Sequence, residues 1–418
     1  MIKERRKRIL ILALILSIVS TLVFSACDLT EPDEYAASHL SDYDVPDFDK
    51  AKFRALERLF RDYFVEELPS PEVMAETVAA LYFEKFHEKI DTGDTVAVTD
   101  ALLDCYVLAT GDKYSIYRTE KENEEYNSTM SGNFYGIGVA VVYDREADTV
   151  TVTDVYTTGS AYEVGIKAGD LIVAVNGAKL FDIGYDELIN RIRGEENTTV
   201  NISVLRSGEE LTFTPTRREV IVESVSYSIN GDKIGYIKIS SFKGNTAEQF
   251  YAAIKFMQEA GAVGIIYDLR GNPGGYLHAV VSALSYVSPA DTTIVSFSNG
   301  YAKPIKDTNK IDFTLPSVVI CNENTASAGE LFTAAMRDFD EVYGYFDVTL
   351  VGVTTYGKGI MQKPFSLGDG STVTMTVAYY NPPSGENYHG DGIVPDVIEE
   401  NPGLQLDAAY AQILELVK

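Results

Sequence analysis

The chain has 418 residues and is 45% hydrophobic, which is enough for two or three domains with packed cores. Its formal net charge of -27 would repel a phosphate backbone and argues against nucleic acid as a partner. The three cysteines, Cys27, Cys105 and Cys321, are too few for a disulfide framework or a repeated metal-ligand spacing. We expect no metal or cofactor, and we place Cys105 and Cys321 in the core.

Residues 1–26 have the features of a signal peptide. A basic start is followed by an apolar run from Ile9 to Phe24 and by Ser25-Ala26-Cys27. This order resembles the bacterial lipoprotein signal, in which Cys27 would be lipidated and become the mature N-terminus. An uncleaved anchor is the alternative, although the apolar run is shorter than the ~20 residues of a comfortable span. In both alternatives the chain is attached to the membrane. The rest of the chain then lies in the bacterial cell envelope, outside the cytoplasm.

Two regions of different composition follow. Residues 27–50 are acidic and lack apolar periodicity, which predicts a solvated linker. In residues 51–125, apolar residues recur at helical spacing, beginning with Phe53, Leu56 and Phe60. This spacing predicts two or three amphipathic helices.

Short alternating strands separated by turn residues fill residues 126–219. The segment resembles a PDZ domain, and the resemblance is carried by the run from Gly165 to Gly177. A small β-rich domain without a ligand is the alternative. The resemblance implies that a peptide C-terminus adds as a strand while backbone N–H groups hold its carboxylate. The loop that would hold the carboxylate consists of Gly136, Ile137, Gly138 and Val139.

Strands alternate with helices over residues 220–400, which predicts an α/β core with at least partly parallel strands. A last helix is expected within residues 401–418. This helix and the helices of residues 51–125 could form a homodimer. The predicted strands are Lys233–Ile239, Gly264–Asp268 and Ser317–Cys321, and the predicted helices are Thr246–Ala260, Leu277–Tyr286 and Gly329–Phe339.

Three short motifs lie where a predicted strand gives way to a turn or helix: Asp268–Gly275, Asn322–Glu330 and Thr355–Gln362. In this order, behind a PDZ-like segment, they resemble the C-terminal processing peptidases. Pro383–Gly385 and Gly390–Asp396 extend the resemblance. It implies a serine endopeptidase with a crotonase-like α/β core, a Ser/Lys/Gln site and protein or peptide substrates that have free C-termini.

Ser327 is the candidate nucleophile. It lies at the start of a predicted helix between Ala326 and Ala328, whose small side chains let a substrate carbonyl approach. The helix N-terminus would favour developing negative charge. A lone serine before a helix is more often an N-cap, but the two other motifs reverse that expectation.

Lys358 is the candidate general base. A lysine can accept a proton from serine only when burial lowers its pKa from about 10.4 toward roughly 7 to 8. Gly357 and Gly359 permit close approach, and Gln362 lies four residues on, where it could orient the lysine without adding charge. Without the other motifs, both Lys358 and Gln362 would be interpreted as solvated polar residues.

A backbone N–H from Gly274 or Gly275 would complete an oxyanion hole with the N–H of Ala328. The sequence leaves open which glycine contributes, and a plain turn is the alternative interpretation.

Other functions fit less well. Residues 352–358 have phosphate-loop spacing, but Gly359 replaces the serine or threonine that would hold magnesium. His278 and His389 are candidate bases for a Ser/His/Asp hydrolase, but they explain fewer residues than Lys358 and Gln362 do. No ligand cluster suggests a metal hydrolase. A non-catalytic PDZ scaffold that senses peptide C-termini would be expected to have lost Ser327 or Lys358.

We predict that the mature chain begins with a lipid-modified Cys27. Mass spectrometry of the N-terminal peptide tests this directly, and Cys27→Ala should abolish the added lipid mass. An intact Met1 or an unmodified Cys27 would contradict the lipoprotein interpretation.

Overall fold

The computed structural model describes residues 35–144, 147–307 and 313–418. The signal peptide and Cys27 lie outside these ranges. Within them, no helix is both long and apolar enough to cross a membrane.

Helices and strands alternate along most of the described chain. The α-helices are α1 (Ala36–His39), α2 (Lys50–Tyr63), α3 (Pro71–Lys85), α4 (Thr95–Ala109), α5 (Glu120–Ser131), α6 (Ser160–Val164), α7 (Leu180–Ile192), α8 (Thr246–Ala260), α9 (Leu277–Leu284), α10 (Ala328–Glu341) and α11 (Gln405–Leu416).

The strands are β1 (Ile116–Arg118), β2 (Asn133–Gly136), β3 (Val139–Asp144), β4 (Thr149–Val155), β5 (Leu171–Val175), β6 (Ala178–Lys179), β7 (Ile202–Arg206), β8 (Glu209–Phe213), β9 (Arg218–Ile221), β10 (Val225–Ile229), β11 (Ile234–Ile239), β12 (Gly264–Asp268), β13 (Thr293–Phe297), β14 (Ile305–Lys306), β15 (Ser317–Cys321), β16 (Val348–Gly352), β17 (Ile360–Ser366), β18 (Thr372–Asn381) and β19 (Val397–Ile398). The mixed α/β composition confirms the predicted fold class.

The chain divides into two compact units, and the first contains the described residues up to Thr119 together with Lys363–Thr376. Helices α2, α3 and α4 lie where the sequence predicts two or three helices. Asp49 caps α2 by accepting the N–H groups of its first turn, and Asp94 does the same for α4. The ring of Tyr106 packs edge-on against Phe53 and Phe60 at centroid distances of 5.5 and 5.4 Å, which joins α2 to α4.

The segment before α2 is not solvated throughout, so the predicted linker is wrong in part. Ala36, Ala37 and Leu40 are fully buried. The N–H groups of Ala36 and Ala37 donate to the buried Glu57 carboxylate at 2.7 and 3.2 Å. The sequence did not predict this burial, because three apolar side chains in an acidic segment do not create a periodic pattern.

The second unit, Glu120–Gln362 with Val377–Lys418, contains a six-stranded sheet in the order β10-β11-β12-β15-β16-β19. Strand β10 is antiparallel to β11, and the other neighbours are parallel. Every residue of β12 and β15 is buried, as expected for parallel strands covered on both faces. Tyr267 and Val319 face the core formed with α8, α9 and α10, whereas Ile266 and Val318 pack with α11.

Strands β12, β15 and β16 are parallel neighbours, so their carboxyl ends lie at one edge of the sheet. Asp268 pairs with Ile320, and Cys321 pairs with Gly352. Each of the three sequence motifs begins at or just after one of these ends. The carboxyl edge of an open α/β sheet is a common position for ligand sites.

The PDZ-like segment forms its own sheet in the order β3-β4-β5-β7-β8, with β6 paired to β5. Its core includes Val150, Ile172, Leu188 and Val204. The chain enters this module through β2 and leaves through β9, and these two strands pair antiparallel with each other. The module is therefore an insertion whose two ends are joined by the β2–β9 strand pair.

Cys105 in α4 and Cys321 in β15 are buried free thiols, as predicted. Burial raises the pKa of both thiols to about 12, so neither is a reactive thiolate at neutral pH.

Glu57 should make the first unit less stable as pH rises. Burial raises the pKa of Glu57 from 4.5 to about 7, so its stabilising contribution is complete below the unfolded pKa and is lost as pH rises through about 7. Between pH 5 and pH 8 we expect a loss of about 2 kcal/mol from this group. Urea unfolding at both pH values should show that Glu57→Gln removes this part of the dependence.

Glu76→Gln on α3 is the matched control, since Glu76 is exposed. An unchanged pH dependence in Glu57→Gln would contradict the assignment.

Candidate active site

Ser327 lies between the end of β15 and the first residue of α10 and has an unusual backbone. Its φ and ψ are 54° and -118°, whereas an N-cap residue normally has β-region angles. Such a conformation costs about 1–3 kcal/mol in a residue other than glycine and commonly marks a functional site. A strained serine on a sharp strand-to-helix turn is also the geometry of a nucleophile elbow, which exposes the hydroxyl. This backbone supports the half-buried Ser327 as the candidate nucleophile.

A single fully buried carboxylate joins the serine motif to the lysine motif. One oxygen of Glu330 accepts the backbone N–H groups of Ser327 and Lys358, at 2.9 and 2.8 Å. The other oxygen accepts the Gly357 N–H and the Thr355 hydroxyl, both at 2.6 Å. Sequence analysis assigned no role to Glu330. The Ser-x-x-Glu spacing of a capping box was the available signal.

The glycine motif packs directly against the serine. A Cβ atom added to Gly274 would lie 2.8 Å from Ser327 Cβ and 2.9 Å from the backbone nitrogen of Ala328, so only glycine fits. The buried Asn272 holds this loop: its carbonyl accepts the Ala326 N–H at 2.9 Å, and its side chain donates to the Ile239 carbonyl at 2.9 Å. Asn272 is a second positioning residue without an assigned role in the sequence analysis.

The two glycines differ in their hydrogen bonds. The Gly274 N–H donates to Asn272 Oδ1 at 2.8 Å and is therefore engaged within the loop. Among the residues that the structure describes, no acceptor binds the N–H of Gly275 or the N–H of Ala328. The N–H of Gly275 is accordingly the better candidate to form the oxyanion hole with the N–H of Ala328.

Close approach of another loop explains the glycines on either side of Lys358, which is half-buried. A Cβ atom added to Gly357 would lie 3.0 Å from the nitrogen of Gly392. One added to Gly359 would lie 2.7 Å from the side-chain oxygen of Asn387. The backbone around Lys358 is therefore clamped between this loop and the Glu330 carboxylate.

Tyr380 is a further site residue that the sequence analysis missed. Its hydroxyl donates to the Lys358 carbonyl at 3.1 Å and lies near the Ser327 side chain. Burial raises the pKa of Tyr380, so the hydroxyl is protonated at neutral pH. Nothing in the local pattern of β18 distinguishes this tyrosine.

Gln362 is the third residue of β17 and is half-buried.

The four predicted peptide-binding residues line one cavity of about 350 Å³ in the PDZ-like module. Ile189 of α7 lines the same cavity. Gly138 has φ 82°, and an added Cβ would lie 2.5 Å from the Cα of Gly159, so glycine is required there.

Residues 233–398 match Peptidase family S41, and residues 151–206 match the PDZ domain family. Over residues 233–398 the chain is therefore similar to peptidase family S41. Among its relatives, the probable CtpA-like serine protease of Staphylococcus aureus strain N315 is 32% identical over 321 residues, which cover 75% of this chain and 62% of the relative. The carboxy-terminal processing protease CtpA of Bacillus subtilis strain 168 is 33% identical over 321 residues, covering 76% of this chain and 66% of the relative.

These relatives confirm the resemblance to C-terminal processing peptidases. The chain spans under two thirds of their length. A solved structure of a lipoprotein from Streptococcus agalactiae superposes with a TM-score of 0.51 at 14% identity, covering 89% of this chain and 97% of the other. At that identity the comparison shows a shared fold alone.

Replacing Glu330 with glutamine should disrupt the site, because the amide nitrogen cannot accept the hydrogen bonds that one carboxylate oxygen now accepts. We expect Glu330→Gln to lower kcat by about 100-fold or more and to cost about 1–3 kcal/mol of stability. Peptide hydrolysis and thermal unfolding would measure the two effects.

Glu341→Gln on the same helix removes the same charge at an exposed position and is the control. Wild-type kcat in a folded Glu330→Gln protein would show that the carboxylate does not position the site.

Proposed function

We propose that this protein is a serine endopeptidase of peptidase family S41 that cleaves protein substrates near their C-termini, with Ser327 as nucleophile and Lys358 as general base. The observation that carries the proposal is the hydrogen bonding of both residues' backbones to one oxygen of the Glu330 carboxylate. That shared acceptor places a strained serine beside a lysine at the carboxyl edge of the sheet.

In the acylation step, neutral Lys358 accepts the proton of the Ser327 hydroxyl as its oxygen attacks the scissile carbonyl carbon. The carbonyl oxygen becomes an oxyanion and accepts hydrogen bonds from the N–H groups of Gly275 and Ala328. The tetrahedral intermediate then breaks its C–N bond, and the protonated Lys358 returns the proton to the leaving amine. The product is an ester of Ser327.

Deacylation repeats these proton transfers with water. Lys358 accepts a proton from the attacking water, and the same two N–H groups hold the second oxyanion. Collapse of that intermediate releases the new C-terminus and gives the proton back to Ser327. Gln362 orients the lysine without adding charge, and Tyr380 holds the Lys358 backbone in place through its hydrogen bond to the Lys358 carbonyl.

The PDZ-like module supplies substrate recognition in this proposal. A substrate C-terminus adds as a strand along β3, and the loop of Gly136, Ile137, Gly138 and Val139 binds its carboxylate. We place this reaction in the bacterial cell envelope outside the cytoplasm, with the chain attached through lipidated Cys27. The signal-like leader supports that placement.

A non-catalytic scaffold that binds peptide C-termini is the rival function, and a serine-directed fluorophosphonate probe separates the two. We expect the probe to label wild type and not Ser327→Ala. Lys358→Ala should abolish peptide turnover about as completely as Ser327→Ala, and the double variant should be no worse, because residues that act as one unit are not additive.

His389→Ala is the control and should retain substantial activity. Wild-type activity should rise with pH as Lys358 loses its proton. A dead His389→Ala beside an active, folded Lys358→Ala would transfer the base to histidine, and an unlabelled, inactive wild type would favour the scaffold.

A further inference from the structure

The cavity of the PDZ-like module is cationic in a strongly acidic protein. The chain has 62 acidic and 35 basic residues. Among the described residues that line the cavity, however, Lys243 and Arg193 are the charged ones and none is acidic. This local reversal of charge suits an anionic ligand.

Neither cation is neutralised by the protein. In the part of the chain that the structure describes, no carboxylate forms an ion pair with Lys243 or Arg193. No hydrogen-bond acceptor there binds the Lys243 ammonium or the Arg193 guanidinium. Lys243 is nevertheless half-buried, and burial lowers its pKa. A partly desolvated ammonium without a partner is unfavourable, and an incoming carboxylate would remove that cost.

Lys243 comes from the peptidase core and not from the PDZ-like sheet. It follows β11, and its backbone N–H donates to the Thr246 hydroxyl at 2.8 Å. The next residue, Gly244, donates its N–H to the Met130 carbonyl at 3.1 Å, and Asn245 donates from its side chain to the Gly132 carbonyl at 2.8 Å. These bonds fix the lysine-bearing loop beside the entry strand of the module.

The remaining lining defines the rest of the ligand. Besides the carboxylate loop, the cavity is lined by the aliphatic residues Val141, Ile189 and Ile192. Strand addition along β3 would bring the last side chain of a peptide against this apolar wall and its carboxylate toward the glycines. The lining therefore suits an aliphatic last residue with a free carboxylate.

We propose that Lys243, together with Arg193, binds the terminal carboxylate of substrates that end in an aliphatic residue. Lys243, a residue of the α/β core, then binds the free C-terminus together with the glycine loop of the PDZ-like module. The inference rests on the proposed function for the identity of the ligand as a substrate, but its test is a binding measurement that needs no catalysis.

The test uses full-length Ser327→Ala protein and two fluorescent peptides that end in leucine, one with a free carboxylate and one with a C-terminal amide. Fluorescence anisotropy gives Kd for each. We expect the free acid to bind at least tenfold more tightly than the amide. Adding Lys243→Met should reduce this ratio to about twofold, mainly by weakening the free acid, and Lys243→Arg should restore most of it.

Lys255→Met is the matched control, because Lys255 is exposed on α8 and its loss changes the net charge equally. Its acid-to-amide ratio should equal that of the parent. A parental ratio in Lys243→Met would overturn the proposal, and so would an equal loss in Lys255→Met, which would indicate long-range attraction alone. If wild type hydrolyses no peptide while the Lys243-dependent ratio persists, the proposed catalysis fails and this inference stands.

Discussion

The hydrogen bonds of the Glu330 carboxylate organise the candidate site. A fully buried carboxylate is unfavourable unless its oxygens are satisfied, and here four donors from two loops satisfy them. Two of these donors are the backbone N–H groups of Ser327 and Lys358, so their relative position follows from the geometry of one side chain. The same bonds offset the backbone strain at Ser327, since Glu330 belongs to the helix that Ser327 precedes.

The parallel sheet makes this arrangement available. Neighbouring strands β12, β15 and β16 end at the same edge, which brings three loops that are distant in sequence within reach of each other. Glycine is then required where backbones approach most closely, at Gly274 against Ser327 and at Gly357 and Gly359 against residues 387–392. Thus the glycines of the motifs allow the loops to pack against each other, and the polar residues between them are the candidate catalytic groups.

One short loop after β11 contributes to both the candidate active site and the PDZ-like cavity. The backbone of Phe242 accepts the Tyr276 N–H at 2.7 Å and donates to the Gly274 carbonyl at 2.8 Å, which holds the candidate oxyanion loop. The adjacent Lys243 lines the cavity. The same short loop of the α/β core therefore contacts the candidate oxyanion loop and lines the cavity of the insertion.

Local patterns in the sequence determined much of this protein. Strands β12 and β15 and helix α8 have the predicted bounds, because buried runs and helical periodicity are local signals bounded by turn residues. The motifs at strand ends likewise identified Ser327, Lys358 and the glycine pair as candidates. Only the tertiary structure decided that Glu330 joins the serine and lysine motifs and that Tyr380 lies beside both candidate catalytic residues. It also decided that the Gly274 N–H is hydrogen bonded within its own loop and that Lys243 lines the cavity. Each of these depends on contacts between distant segments, and an isolated glutamate, tyrosine or lysine carries no local pattern that reveals its partner.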